Sequence, residues 1–87
     1  MDSLVVDLRK KFSGCTPFIN HIAIVDQRCI RVDYSTLYKL KWFEIWSNPD
    51  TPEKYTLLVP KNIRDHKKVT KTELLEFMKS IFVLPEK

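Results

Sequence analysis

Pro49-Asp50 followed by Asp65-His66-Lys67 is the part of this chain whose residue types and order come nearest to a catalytic pattern. It formally matches the PD-(D/E)xK arrangement of metal-dependent nucleases, in which two carboxylates hold a divalent ion and a lysine positions water or stabilises charge. The setting speaks against that chemistry. Asp50 falls in a proline-flanked turn, Asp65-His66-Lys67 falls in a polar loop, and short motifs outside their structural context are usually coincidence. His21 with Asp33, and His66 with Asp65, come without a nucleophile or a glycine-built oxyanion site. Cys15, His21, Cys29 and His66 lack the paired short spacings of zinc ligands, and two cysteines outside a CxxC spacing read as reduced thiols. Gly14 is the single glycine, so no dinucleotide fingerprint, Walker loop or GXXG clamp can be written. We therefore expect no enzyme, no cofactor and no metal.

A different chemistry is written in the charge. The net charge of +4 is carried by residues 61–72, KNIRDHKKVTKT, which hold five Lys or Arg against one Asp; the remaining chain is balanced at ten of each sign. A basic segment opening a helix adds mobile cations to unpaired backbone donors, a combination that attracts anions. Its lysines oppose the helix dipole at a cost of a few tenths of a kcal/mol each, roughly, which a bound phosphate or acidic surface would remove. Lys61, Arg64, His66, Lys67, Lys68 and Lys71 are the candidate anion- or partner-binding residues. Solvation alone also accounts for such a run.

Six of the ten aromatic residues, Tyr34, Tyr38, Trp42, Phe43, Trp46 and Tyr55, fall within 22 positions. On a strand, Tyr38, Leu40, Trp42 and Trp46 point one way and Phe43 and Ile45 the other, so both faces are apolar and one needs a cover. With the terminal helices covering one side, the cover of the other is a partner subunit, a protein ligand or stacked bases, while plain core filling also accounts for any individual Trp. Tyr38, Trp42, Phe43 and Trp46 are the candidate aromatic interface. Lys39 and Lys41 interleave with them, yet strict alternation sends lysines and Trp rings to opposite faces, which weakens a base-stacking platform.

These side chains need elements to hold them. The spacing of Leu4, Val5, Leu8 and Phe12 predicts a helix from Asp2 or Ser3 to about Phe12, stopped at Gly14. From Phe18 the pattern alternates, with Ile22, Ile24, Ile30 and Val32 on one parity, giving two strands joined through Asp26, Gln27 and Arg28. Tyr34, Tyr38, Trp42 and Trp46 recur every fourth residue, a spacing that suits helix and strand alike; the aromatic enrichment and the turn SNPDTP favour a strand over about 37–47. A fourth strand through Tyr55, Leu57 and Val59 ends at Pro60. Thr70, Glu73, Val69 and Leu74 spell a capping box with a hydrophobic staple, opening a helix whose stripe runs to Phe82 before Pro85.

At 87 residues, with 44% hydrophobic and 30% charged side chains, these elements predict one α+β domain over 1–87. The expected fold is a four-stranded antiparallel meander flanked by an N-terminal and a C-terminal helix, order α-β-β-β-β-α, with both helices on one face. No stretch is long and apolar enough to span a bilayer, and Asp2, Asp7 and Arg9 interrupt any signal-peptide core, so a cytoplasmic protein is expected. The function expected is a non-catalytic protein–protein interaction or regulatory module, with itself as homodimer among the partners. The alternative is a nucleic-acid-binding protein that sets residues 61–72, with Lys39 and Lys41, against phosphates.

Overall fold

The apolar alternation that begins at Phe18 folds into a sheet, and the two amphipathic segments at the ends of the chain fold onto it. In a computed structural model, which describes residues 2–60 and 67–85, the order is α1 (Asp2–Lys11), β1 (Phe18–Asp26), β2 (Cys29–Ser35), β3 (Leu40–Ser47), β4 (Lys54–Leu58), β5 (Lys67–Thr70) and α2 (Lys71–Ile81). The sheet is an antiparallel meander in the order β1-β2-β3-β4-β5.

The α+β class and the antiparallel meander stand as expected, but the strand count of four is corrected to five. Lys67–Thr70, read from sequence as loop, pairs with Lys54–Leu57. Its single apolar residue, Val69, lies across from Tyr55 and is buried, so the strand is held by one core contact and a backbone ladder rather than by alternation. The third strand begins at Leu40, which leaves Leu37 and Tyr38 in the β2–β3 turn. Thr36 closes that turn: its amide donates to the Lys39 carbonyl at 2.9 Å and its hydroxyl accepts the Lys39 amide at 3.2 Å.

Both helices bury their stripes against the same side of the sheet. Leu4, Val5, Leu8 and Phe12 of the α1 region and Leu74 and Met78 of α2 share one cluster with Ile22, Ile30, Val32, Tyr34, Phe43, Ile45, Leu57 and Val69. Edge-to-face rings thread it: Tyr34 meets Phe43 and Phe82, and Phe82 meets Phe12.

The helix ends follow local chemistry. The Phe12 amide donates to the Leu8 carbonyl at 3.0 Å, and Gly14 at φ 73° makes the left-handed turn that ends α1. At α2 the Thr70 hydroxyl accepts the Glu73 amide at 3.2 Å while the Glu73 carboxylate accepts the Thr70 amide at 3.1 Å, the full capping box. Beyond α2, Val83 and Thr16 exchange two backbone hydrogen bonds, tying the end of the chain to the link after α1. Among the described residues no helix is long and apolar enough to cross a membrane.

Candidate functional site

Cross-strand partners in an antiparallel ladder share a face, so the register assigns every side chain to the helix-covered face or the open one. Ile30 with Ile45 and Val32 with Phe43 lie under the helices; Arg31 with Glu44, Asp33 with Trp42, Cys29 with Trp46 and Ser35 with Leu40 lie on the open face. Phe18 and His21 of β1 and Thr56 and Lys68 of β4 and β5 join them there through Ser35, Asp33 and Trp46.

The open face is half shielded by its own polar groups. The Arg31 guanidinium sits 4.3 Å from the Trp42 ring centre, and its Nε donates to the Asp33 carboxylate at 3.1 Å. Trp46 Nε1 donates to the Glu44 carboxylate at 3.4 Å. Cys29 is fully buried although it lies outside the core cluster. Burial pushes its thiol up to about 12, with the charge of Glu44 and a hydrogen bond to it adding to the shift. Burial that disfavours the thiolate suits a thiol that serves packing. Burial likewise raises Cys15 and Tyr34.

Toward the β2–β3 turn that shielding ends. Phe18 is 67% exposed, Leu37 95%, Tyr38 92% and Leu40 75%. Phe18, Leu37 and Tyr38 line one shallow groove together with Pro17, and Leu40 lies across Ser35 from Phe18. Large apolar side chains scattered singly are ordinary, whereas these four lie together at one end of the sheet. A second groove, about 190 Å³, lies beside it between the start of β3 and the chain leaving β4, lined by Tyr34, Lys39, Leu40, Lys41, Trp42, Val59 and Pro60.

The candidate residues read from sequence disperse. Tyr38 stands on the exposed turn, Trp42 and Trp46 lie half-buried on the open face, and Phe43 lies in the core at 1% exposure, out of reach of a partner. Lys61, Arg64 and His66 lie outside the described residues. Lys67 and Lys68 belong to β5, with Lys68 exposed across from Thr56. Lys71 opens α2 and donates to the Asp7 carboxylate of α1 at 2.8 Å, so this cation already has an anion. Asp50 occupies an exposed turn, and among the described residues no three His, Cys, Asp or Glu side chains gather to hold a metal.

Phe18, Leu37 and Leu40 were not among the sequence candidates. Their signal was faint: Phe18 and Leu37 open predicted strands and Leu40 lies within one, on the parity of Trp42, and only the register brings the three together. Compared with known proteins, the chain matches no family model, no curated protein and no solved structure.

Proposed function

We propose that this chain is a non-catalytic interaction module that docks another polypeptide, a second copy of itself included, on the apolar end of its open sheet. The observation that carries the reading is the exposure of Phe18, Leu37, Tyr38 and Leu40 at one end of the sheet. Covering them is worth roughly 25 cal/mol per Å² of apolar surface, enough for a partner to gain several kcal/mol from four such side chains.

The nucleic-acid reading keeps one observation in its favour, Lys68 and Lys54 on the edge of the same face. Two others weaken it. Lys71 is engaged by Asp7, and one side of the Trp42 ring is taken by Arg31, the contact a stacked base would need.

A photo-crosslinking side chain at Tyr38 distinguishes the two, with the same probe at the exposed Lys10 of α1 as reference. The expected result is a protease-sensitive, nuclease-resistant adduct at position 38 that disappears in Leu40→Glu. An adduct of twice the chain mass identifies a second copy. A nuclease-sensitive adduct, or equal capture at position 10, overturns the proposal.

A further inference from the structure

The second groove exists because β4 stops early, and the reason is a proline. The Ser47 amide donates to the Arg28 carbonyl and the Thr36 amide to the Lys39 carbonyl, so the odd-numbered backbone groups of β3 turn toward β2 and the even-numbered ones toward β4. Trp46 and Glu44 meet Thr56 and Leu58 of β4. The residue that would next face Trp42 is Pro60, which has no amide to donate, and the ladder ends at Leu58.

The N–H and C=O of Trp42 and Leu40 are thus left along an open edge, and among the described residues no backbone or side-chain group meets them. The opposite edge of the sheet is managed differently. There the Ile22 carbonyl accepts two hydrogen bonds from the Arg9 guanidinium, at 3.0 and 2.7 Å, and two register irregularities break β1. The β3 edge carries neither device, and Lys39 and Lys41 flank it with no acidic side chain in the groove lining.

We propose that this edge takes up an extended peptide strand, running antiparallel to β3 in the line that β4 abandons, in which acidic and apolar side chains alternate. The pattern follows from the pleat. The residue opposite Trp42 shares the open face with Trp42 and Leu40 and is apolar; the residue opposite Lys41 shares the other face with the lysines and is acidic. Main-chain hydrogen bonds to Trp42 and Leu40 supply the affinity, and the alternate side chains supply the selectivity. At about 190 Å³ the groove is below the roughly 300–1,000 Å³ of small-ligand pockets, which suits a strand and not a compact metabolite. The sequence of residues 61–66, with Lys61 and Arg64 against Asp65, has the same sign as the groove lysines and is no electrostatic match for it. This inference rests on the interaction-module reading and specifies its partner.

The test is a titration of the full chain with acetyl-Glu-Val-Glu-Val-Glu-Val-amide, followed by amide NMR shifts and hydrogen exchange at Leu40 and Trp42. Both amides are expected to shift and to gain protection, with the lysine counterpart of the peptide binding about ten-fold more weakly at low salt. N-methylation at the valines, whose amides face β3, removes binding, whereas N-methylation at the glutamates does not. Lys39→Glu with Lys41→Glu reverses the preference between the two peptides, and the unshifted core amides report that the variant is folded. Equal binding of the valine-methylated peptide overturns strand addition, as do Leu40 and Trp42 amides already protected in the free chain. Absence of contact at these amides, while the position-38 adduct persists, overturns the strand and leaves the interaction module standing; loss of the adduct as well removes both.

Discussion

The two faces of the sheet both carry large residues and solve opposite problems. On the helix side Phe43, Ile45, Ile30 and Val32 are at most 1% exposed, and what covers them is other apolar side chains from α1 and α2. On the open side Trp42 and Trp46 remain half-buried, and what covers them is charge: Arg31 stacked on one ring and Glu44 on the indole N–H of the other. The first face is sealed by area lost to water, the second by polar groups that stay wet. The difference teaches which aromatic residues are committed to the core and which stay at the surface.

The sharpest way to break this contrast is a pair of truncations. Phe43→Ala is expected to cost about 3–5 kcal/mol, the range for a fully buried ring whose cavity cannot collapse. For a domain with a total stability of roughly 5–15 kcal/mol, that brings the chain close to unfolding. Trp42→Ala, which loses partial burial and the stacked guanidinium, is expected to cost about 1–2 kcal/mol. Urea unfolding of the two variants measures both. Equal losses would make the open face a second core.

Cys29 tests the same contrast from inside the open face. Its thiol is buried by strand neighbours, with Trp46 directly across the ladder, and its thiolate is suppressed. Native protein is therefore expected to resist an aromatic disulfide reagent at neutral pH. Trp46→Ala should speed modification of Cys29 by about ten-fold, the change produced by easing a local opening by about 1.4 kcal/mol. Cys15, buried on the helix side near Phe12, should not change, and peptide mass spectrometry separates the two sites. An equal increase at both cysteines would mean that the faces open together.

How much of this was legible beforehand depends on how local the cause is. The capping box at Thr70 and Glu73 and the left-handed stop at Gly14 act through residues a few positions apart, and their types announce them. The parity of Ile22, Ile30 and Val32 announces the core face for the same reason. Strand β5 has one apolar residue, and its cause is Tyr55, fourteen positions away, so no periodicity could show it. The fourfold spacing of Tyr34, Tyr38, Trp42 and Trp46 suggested one aromatic row, but Thr36 turns the chain between the first two and separates the set. Tyr34 goes to the core, Tyr38 to the turn and the two Trp to the open face. The β3 edge was the least legible feature, because Pro60 matters only through what it fails to pair with, and that requires the register.

Charge pairs give the mildest contrast between the faces. Lys71 of α2 and Asp7 of α1 are linked at 2.8 Å across the helix side, with side chains 47% and 44% exposed. Their hydrogen bond, with the opposite charges, lowers the Asp7 carboxyl below its ordinary value of 3.8 and raises the Lys71 amine above 10.5. A lowered carboxyl contributes stability that is fully present above pH 3.8 and fades as pH falls through the folded value. A raised amine contributes stability fully present below pH 10.5 and fades as pH rises through its folded value. The pair thus acts across the neutral range, and Asp7→Asn should lower the urea midpoint slightly at pH 7 and not at all once the carboxyl is protonated in both states. Because both groups are in water, added salt should also close that gap. On the open face Asp33→Asn frees a guanidinium that still rests on Trp42, so part of its effect should survive high salt. If salt erases the Asp33 effect as completely as the Asp7 effect, the charges on the open face are solvated ornaments of the sheet and not its cover.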